Sequence, residues 1–416
     1  PHSYGALRMD RKTGVAIALI LVSITASSVF CFLYLSRGGG HQEGNQWRIW
    51  AEIAWRYYTP GVGVDPDTLL HRANIHWHRF TDWDLGSHIQ SLIDADKIGL
   101  IRTGPGFSER INRILEFLER RELSPNGVPH WSYSSSDGKP NRESGETPPA
   151  DTGRLLVALA ALRAYKPEMA KRIETAVNRQ NFRKVLALRG FEGGFYGYFA
   201  AQGFKAFGID HNGLVAASLK EMSNLSKGKF VEIFGEQIPL AWITSEPVLH
   251  TLLEVASLEE PFREYSARIY RVQEKRFMLQ GKYTAFSEGA YFAHGNYIFE
   301  WIIRGDTGAM WTVTRIDEKG VHTLDIAPVV YTKTVLGFHA VFSSEYTKKL
   351  VEWLLSYREV VTVNGFAEGV TEANELVAQP TDKTNAMILS AANYAIEKSH
   401  KSARSLQSNT AHGGFS

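Results

Sequence analysis

Apolar and polar positions along most of the chain follow the spacing of buried and amphipathic helices. Apolar residues recur three and four positions apart through long stretches, which is the periodicity of an α-helix. The pattern predicts helices over residues 47–57, 82–96, 108–122, 151–165, 167–187, 211–223, 245–257, 261–277, 330–342, 343–357 and 382–397. Residues 399–416 are rich in serine, asparagine, glycine and histidine without periodicity, so the sequence predicts a disordered tail there.

Two kinds of predicted helix follow each other. Residues 154–162 and 386–396 are apolar on nearly every side, whereas residues 109–121 carry charges on one face. A helix that is apolar all round is buried, and one with a polar face lies at the surface. Alternating inner and outer helices describe two concentric rings. The predicted fold is therefore all-α, an (α/α)6-type toroid with small β-hairpin insertions, in which residues 229–243 form a hairpin that replaces one outer helix.

One apolar run near the N-terminus is long enough to cross a membrane. Residues 14–35 contain no charged side chain, and 22 residues at ~1.5 Å each span ~33 Å, against ~30 Å for the hydrocarbon core. Basic residues cluster before the run and only Arg37 follows closely, so the positive-inside rule places the N-terminus in the cytoplasm. A cleaved signal peptide is the alternative, but its apolar region is ~7–15 residues long and ends in a clear cleavage site. The sequence favours one transmembrane helix that precedes the toroid.

The chain is thus predicted to be a single-pass cell-membrane protein whose C-terminal domain is extracytoplasmic. Its parts are a cytoplasmic N-terminus (1–13), a transmembrane signal anchor (14–36), a flexible spacer (37–46), the toroid domain (47–398) and the tail (399–416). The net charge of +2 comes from interspersed acids and bases, which argues against a nucleic-acid partner because that needs a basic face. The only cysteine, Cys31, lies in the apolar run, so no intramolecular disulfide can form.

Polar, capping-type residues open each of the six predicted inner helices. In a toroid these starts lie at one end of the ring, where they surround a concave pocket of the kind that binds ligands. The segments are 81–84, 149–152, 210–212, 244–246, 331–333 and 381–385. Aspartate, serine and threonine also favour helix N-caps, and this alternative holds for any single one of them. Six polar starts in register favour a ligand-binding end.

Aromatic residues are frequent in the predicted loops and near the helix ends. They are Trp77, Trp83, Trp131, Tyr133, Phe195, Tyr196, Tyr198, Trp242, Tyr291, Tyr297, Trp301 and Trp311. Aromatic faces beside carboxylates suit sugar rings, because the apolar C–H face of a sugar stacks on the ring while acids bind its hydroxyls. The alternative is that these side chains fill the core of a large domain. Together with the acids, they indicate a carbohydrate ligand.

Hydrolysis of a glycoside needs two carboxyl groups, one as general acid and one as base or nucleophile. The candidate acids are Asp84, Asp151, Asp210, Glu246, Glu288 and Glu368. Glu246 follows the apolar hairpin, and Glu288 lies between Phe286 and Tyr291. Apolar surroundings raise the pKa of a carboxyl group, as a general acid requires. These two glutamates are therefore the predicted catalytic pair.

Histidines and aspartates also cluster between residues 71 and 88. The cluster comprises His71, His76, His78, Asp82, Asp84 and His88. These residue types bind metals, but here they show no recognised ligand spacing. Histidines also hydrogen-bond hydroxyls or lie in protein cores. We therefore predict neither a metal nor another cofactor.

Several of these segments together resemble the domain-of-unknown-function 3131 family, which is related to glucoamylase-like domains. The matching segments are 81–100, 127–131 with 150–153, 238–247, 284–288, and 333–340 with 365–369 and 384–386. The chain departs from the family at Thr244-Ser-Glu-Pro-Val248, where the family has an Asn-Thr-Glu-x-Arg element, so the arginine is missing. The resemblance implies an (α/α)6 toroid similar to β-1,2-glucanases and glucoamylase-like hydrolases. The acids that fall on family motifs are Asp151, Glu246, Glu288 and Glu368.

The predicted function is a membrane-tethered glycoside hydrolase or transglycosylase that acts on a cell-surface or environmental glucan. Glu246 is the expected general acid, Glu288 its partner, and Asp151 a third catalytic candidate. The residues expected to bind substrate are Asp84, Asp210, His211, Trp83, Trp131, Tyr291 and Glu368. The alternative is a non-catalytic glycan-binding or cell-envelope scaffold protein with the same fold, because a fold does not fix a function.

Overall fold

A computed structural model of the chain describes residues 42–411, apart from Glu192, Ser226 and Gly295. Its α-helices are α1 (Gln42–Trp55), α2 (Asp82–Lys97), α3 (Phe107–Arg120), α4 (Pro149–Tyr165), α5 (Ala170–Asn178), α6 (Phe182–Arg189), α7 (Gly194–Ala206), α8 (Leu214–Leu225), α9 (Ser245–Glu254), α10 (Glu260–Gln280), α11 (Thr332–Phe342), α12 (Glu345–Ser356) and α13 (Asp382–Ala411). The described chain from Arg48 onward forms one compact unit.

Six of these helices form a closed inner ring. Helices α2, α4, α7, α9, α11 and α13 contact one another in that order, and α13 returns to contact α2. Outer helices lie between them in the sequence: α3 follows α2, α5 and α6 follow α4, α8 follows α7, α10 follows α9, and α12 follows α11. The predicted toroid of inner and outer helices is confirmed.

The inner helices approach each other at glycines. A Cβ at Gly153 of α4 would lie 2.4 Å from the Cβ of Ala200 in α7, and one at Gly203 of α7 would lie 2.3 Å from the carbonyl oxygen of Gly153. Only glycine has no side chain to fill that space. On the other side of α4, a Cβ at Gly86 of α2 would lie 2.8 Å from the carbonyl oxygen of Arg154. Helices α2, α4 and α7 therefore pack with their backbones almost in contact.

The third inner helix corrects the sequence prediction. It is α7, Gly194–Ala206, whereas we expected the third inner helix to start at Asp210. The α7 sequence contains three glycines and five aromatic residues, which have low helix propensity, so its pattern resembled a loop. The predicted helix 211–223 corresponds to α8, which is an outer helix. Because α7 is the inner helix that the sequence pattern did not predict, and 211–223 is an outer helix, the hairpin at residues 229–243 does not replace an outer helix.

The structure contains more β-structure than an all-α fold, which is a second correction. The strands are β1 (Arg79–Phe80), β2 (Tyr133–Ser134), β3 (Phe230–Ile233), β4 (Glu236–Pro239), β5 (Glu288–Tyr291), β6 (Asn296–Ile303), β7 (Met310–Asp317), β8 (Gly320–Leu324), β9 (Val329–Tyr331), β10 (Val361–Thr362), β11 (Gly365–Thr371) and β12 (Leu376–Pro380). Strands β3 and β4 form the predicted antiparallel hairpin. Strands β5 to β8 form a four-stranded meander, and β9 joins β10, β11 and β12 in a second sheet. Both sheets are larger than the predicted hairpins.

Both four-stranded sheets border the end of the ring at which the inner helices begin. Strand β9 runs directly into α11, and β12 ends one residue before the N-cap of α13. The backbone of Ile243, just before α9, exchanges hydrogen bonds with Ile302 and Ile303 of β6. We call this end of the ring the mouth: the first turns of α2, α4, α7, α9, α11 and α13 with the neighbouring strands β5, β6 and β11.

The sequence made one prediction for each end of the chain, a membrane anchor near the N-terminus and a disordered tail at the C-terminus. The predicted membrane anchor, residues 14–36, lies outside the described residues. Within residues 42–411, none of the helices is long and apolar enough to span a membrane. At the other end α13 continues to Ala411, so residues 399–411 extend a helix where the sequence predicted a disordered tail.

Candidate active site

Buried acidic and basic side chains meet at the mouth. Glu246 lies in the first turn of α9, Lys333 in the first turn of α11 and Lys383 in the first turn of α13. Glu288 comes from β5 and Glu368 from β11. The three glutamates and Lys333 are at least 95% buried. Side chains from three inner helices and two sheets thus surround one small volume.

Glu246 is held as a buried carboxylate. It forms a salt bridge with Lys333, and both side chains have no exposed surface. The Ser287 hydroxyl donates a hydrogen bond to Oε2 of Glu246 at 2.9 Å, and Nε2 of His250 lies 3.6 Å from Oε1. Burial alone would raise the pKa of Glu246, but the adjacent Lys333 ammonium, together with His250 and Lys383, outweighs it and holds this pKa well below its usual range. Glu246 is therefore ionised at neutral pH.

Glu288 has the opposite surroundings. Tyr297 donates a hydrogen bond to its Oε1 at 2.8 Å, and Tyr196 hydrogen-bonds to its Oε2. Lys383 lies farther away, with Nζ 3.9 Å from Oε1. Burial raises the pKa of Glu288, and the negative charge of Glu246 raises it further.

This contrast differs from the expected pKa shift of Glu246. The sequence predicted a raised pKa for Glu246 from its apolar neighbours, and that prediction is wrong because Lys333 contacts the carboxylate directly. The raised pKa belongs to Glu288. Two carboxyl groups whose pKa values are pushed apart are the arrangement that separates a general acid from an ionised partner.

Glu368 is a third buried acid of the mouth. Its carboxyl oxygens accept hydrogen bonds from the hydroxyls of Thr381 and Thr384, the second at 3.1 Å. Burial raises the pKa of Glu368. A Cβ at Gly289 would lie 2.5 Å from Oε2 of Glu368, so this carboxyl group lies against the strand that carries Glu288. Glu368 therefore joins the predicted pair.

Asp84 reaches the mouth but also caps its own helix. Its Oδ2 accepts hydrogen bonds from the backbone nitrogen and hydroxyl of Thr81, at 2.8 and 3.0 Å, which completes a capping box. Burial, with the nearby charge of Asp382, raises the pKa of Asp84 to about 6. The helix-cap alternative raised from the sequence thus holds for this residue.

Two histidines of the 71–88 cluster are core residues. The rings of His71 and His88 are fully buried and lie 4.9 Å apart, and His88 stacks on Tyr58 at 5.3 Å. Burial lowers the pKa of His71 to about 4, so it is neutral at pH 7. No group of three histidine, cysteine, aspartate or glutamate side chains in the described part of the chain could hold a metal ion.

The remaining predicted site residues are Asp151, Trp83, Trp131 and Tyr291. Asp151 lies half-buried in the first turn of α4, and the buried Trp83 packs against Tyr196 with ring centres 6.0 Å apart. Trp131 is 38% exposed and lies beside Trp77 at 5.9 Å. The hydroxyl of Tyr291 donates a hydrogen bond to Oε2 of Glu375 at 3.4 Å.

Asp210 and His211 do not belong to the mouth, which is a further correction. They lie between the C-terminal end of α7 and the start of α8, and so at the opposite end of the ring. Asp210 Oδ1 accepts a hydrogen bond from the backbone nitrogen of Val215 at 3.1 Å. The sequence pattern placed them at the mouth because it did not predict α7 as the third inner helix.

Four residues that complete the site received no role from the sequence. Lys333 and Lys383 stand in the polar helix starts, but nothing nearby in the sequence showed which acid each would meet. Tyr196 and Tyr297 were noted only as members of the aromatic set. Their contacts come from elements far apart in the chain.

A ring of six inner helices with paired buried carboxyl groups and aromatic side chains at one end defines an α/α toroid with a candidate site at its mouth. The chain belongs to the family described as "Protein of unknown function (DUF3131)", which matches residues 49–398. No curated protein matches the chain.

Solved structures share this fold at low sequence identity. The endo-β-1,2-glucanase from Chitinophaga pinensis, in complex with sophorotriose and glucose, superposes with a TM-score of 0.63 at 13% identity, over 84% of this chain and 92% of that one. The β-1,2-glucanase from Parabacteroides distasonis gives 0.62 at 12% identity, over 86% and 57%. The endo-β-1,2-glucanase from Talaromyces funiculosus, in complex with sophorose, gives 0.59 at 9% identity, over 88% and 87%. At these identities the likeness concerns the fold.

Proposed function

We propose that the protein is a glycoside hydrolase that acts on a glucan, with Glu288 as general acid and Glu246 as its ionised partner. The observation that carries this proposal is the opposed environment of the two carboxyl groups. Lys333 lowers the pKa of Glu246, whereas burial and the charge of Glu246 raise the pKa of Glu288. Glycosidases that use two carboxyl groups need one in each state.

In the proposed reaction Glu288 protonates the oxygen of the glycosidic bond as that bond breaks. The sugar then develops positive charge at its anomeric carbon, and the nearby carboxylate of Glu246 stabilises that charge. Oε1 of Glu246 accepts no hydrogen bond among the described residues, so this oxygen remains available to the developing charge. In this proposal Glu288 supplies the proton and Glu246 the negative charge.

Side chains in the segments before α2 and α4 and in the first turn of α4 are the proposed binding groups for the sugar rings on either side of the cleaved bond. Trp131 and Trp77 present aromatic surface, and Asp151 is partly exposed in the first turn of α4. Stacking on aromatic faces and hydrogen bonds from sugar hydroxyls to carboxylates would hold a glucan there. The glucanases of similar fold are named for β-1,2-glucan. We therefore propose β-1,2-glucan as the first substrate to test.

The proposal is tested by incubating the purified 416-residue chain with β-1,2-glucan and other glucans and measuring new reducing ends. Glu288→Gln keeps the shape of the side chain but removes the transferable proton, so the rate should fall on the order of 10²–10⁴-fold. Glu345→Gln is the matched control, because Glu345 forms only an exposed ion pair with Lys348. Equal rates for both variants and the unmodified protein would contradict the assignment. Binding of a glucan without turnover would favour the non-catalytic glycan-binding alternative, which the deep burial of the acids also fits.

We further propose that the toroid is tethered outside the cytoplasm by residues 14–36. The support is the uncharged apolar run with basic residues before it, which the positive-inside rule orients. A protease added to intact cells should then release a fragment that begins after Ser36. A protein that resists this treatment in intact cells and is cut after lysis would contradict the extracytoplasmic location.

A further inference from the structure

The hydrogen bonds around Glu288 form an ordered chain that starts at a lysine. Nζ of Lys383 lies 2.9 Å from the hydroxyl oxygen of Tyr297, and that hydroxyl lies 2.8 Å from Oε1 of Glu288. Tyr196 hydrogen-bonds to the other carboxyl oxygen, Oε2. The four side chains come from α13, β6, β5 and α7. Such a chain is unusual in joining four separate elements at one carboxyl group.

The sheet register explains why Tyr297 meets Glu288. Glu288 of β5 pairs with Phe299 of β6, and Tyr297 lies two residues from Phe299. Directly opposed residues of an antiparallel pair share a face, as do residues two apart in one strand. Tyr297 and Glu288 therefore project from the same face, while Glu300 projects from the other.

The chemistry of lysine gives this chain a direction. An ammonium group only donates hydrogen bonds, so the oxygen of Tyr297 must accept from Lys383. Among the described residues, the partner within reach of the Tyr297 hydroxyl proton is Oε1 of Glu288, so Oε1 is the acceptor. The carbonyl oxygen of a neutral carboxyl group is its better acceptor, and no lysine fixes the direction of the Tyr196 hydroxyl, so this geometry favours the proton on Oε2.

The position of Lys383 is itself fixed. Its Nζ lies 4.6 Å from the ring centre of Tyr297 and 5.8 Å from that of Trp83, so two aromatic faces hold the ammonium group. Burial would lower the pKa of Lys383, but Asp84, Glu288 and other acids raise it above its usual value. Lys383 thus remains a donor throughout the pH range of the experiments below.

We infer that Lys383 and Tyr297 are positioning residues that place the acidic proton of Glu288 on Oε2, beside Tyr196. This inference rests on the proposed role of Glu288 as general acid. In the reaction, the Oε2–H bond of Glu288 and the C–O bond of the glycoside break together. The electron pair of the C–O bond stays on the leaving oxygen, which takes the proton, and Glu288 becomes a carboxylate. A water molecule then bonds to the anomeric carbon and gives up one proton to a carboxylate of the site, so one water is added across the glycosidic bond.

Once ionised, Glu288 faces a defined set of groups. The charged groups are Glu246 from α9, Lys333 from α11 and Lys383 from α13. The phenols are Tyr196 from α7 and Tyr297 from β6. The two lysines and the donated hydrogen bond from Tyr297 favour the carboxylate, so they ease proton release that burial and Glu246 oppose.

Infrared spectroscopy tests the inference without any substrate. The carbonyl stretch of neutral Glu288 is identified at about pH 5, where ordinary exposed carboxyl groups are ionised, as the band that Glu288→Gln removes. Tyr297→Phe should shift this band to higher frequency, because the carbonyl oxygen Oε1 loses its hydrogen bond. Tyr196→Phe should leave it nearly in place, because Tyr196 faces the hydroxyl oxygen. Tyr270→Phe, a remote buried tyrosine of α10, is the control and should change nothing.

Lys383 variants test the direction of the chain. Lys383→Met frees the Tyr297 hydroxyl to rotate, so two carbonyl bands should replace one, whereas Lys383→Arg keeps a donor-only cation and should retain one band. If the protein hydrolyses a glucan, Tyr297→Phe should also move the basic limb of the pH profile of kcat/KM upward. The inference is overturned if Tyr196→Phe moves the band and Tyr297→Phe does not, or if no band is lost in Glu288→Gln. A protein without glucan hydrolysis whose bands shift as expected would refute the proposed function alone.

Discussion

Replacing Lys333 with methionine tests the buried pair on which the site depends. Lys333 and Glu246 have no exposed side-chain surface, so solvent does not screen their interaction. In Lys333→Met the carboxylate of Glu246 stays buried without its main counter-charge, and methionine fills a similar volume. Breaking a buried ion pair by removing one partner costs about 3–5 kcal/mol of folding stability.

The expected shift in melting temperature follows from the size of the folded unit. At about 2.1 cal/mol/K of unfolding entropy per residue over about 370 residues, the unfolding entropy is about 0.8 kcal/mol/K. Dividing the cost by this entropy gives a fall in Tm of about 4–6 °C. Because the pKa of Glu246 is held below its usual range, the pair stabilises the fold above about pH 4.5 and loses this effect as the pH falls below it. The difference in Tm between Lys333→Met and the unmodified protein should therefore shrink at acidic pH.

The assay is thermal unfolding by circular dichroism at several pH values. Lys348→Met is the control, since Lys348 pairs with Glu345 at 2.6 Å at the surface, where such a pair contributes less than about 1 kcal/mol. The double variant Lys333→Met with Glu246→Gln removes both charges and should recover most of the lost stability. A Lys333→Met protein as stable as the Lys348→Met control would refute the reasoning.

Three further predictions concern packing, pH dependence and sugar binding. Gly153→Ala places a Cβ 2.4 Å from Ala200 and should lower stability by about 1–3 kcal/mol or more in urea unfolding, whereas Gly106→Ala, with nothing within 4 Å, should be nearly neutral. Burial raises the pKa of Asp382 from 3.8 to about 7. The protonated side chain therefore stabilises the fold fully below pH 3.8, and this stabilisation is lost as the pH rises through about 7. Asp382→Asn should flatten the fall in Tm between these two pH values. Trp131→Ala should raise KM or Kd for a glucan several-fold without changing Tm, because stacking on one aromatic ring contributes about 1 kcal/mol; an unchanged affinity would exclude Trp131 from the sugar site.

The inner ring could be predicted where its helices are apolar on all sides. Helix α4 is an example, because a run of leucines, valine and alanines has no polar face and must be buried. Helix α7 could not be found in this way, since Gly203 admits the backbone of α4 and the aromatic residues Phe195, Tyr198 and Phe204 pack in the core. The features that suit α7 to its place in the ring are the ones that weaken its helical pattern.

The acids of the site were identifiable from the sequence, but their protonation states were not. Glu246 and Glu288 stood out by their neighbours in the chain and by the family resemblance. What sets the pKa of Glu246 is Lys333, which belongs to another inner helix and is adjacent only after the ring closes. The local sequence therefore identifies the acidic residues of the site, whereas the contact between Glu246 and Lys333 forms only in the folded toroid.

A direct lysine contact, more than a helix N-terminus, decides which acid of the mouth has a lowered pKa. Glu246, Asp84 and Asp382 all lie in the first turn of an inner helix, where the helix dipole favours a negative charge. Burial nevertheless raises the pKa of Asp84 to about 6 and that of Asp382 to about 7, so the dipole alone does not offset desolvation. Only Glu246 of these three forms a salt bridge with a buried lysine among the described residues, and only its pKa falls. For Glu288, burial and the charge of Glu246 raise the pKa, and Lys383 acts through the hydroxyl of Tyr297, which in the inference above fixes where the proton of the acid lies.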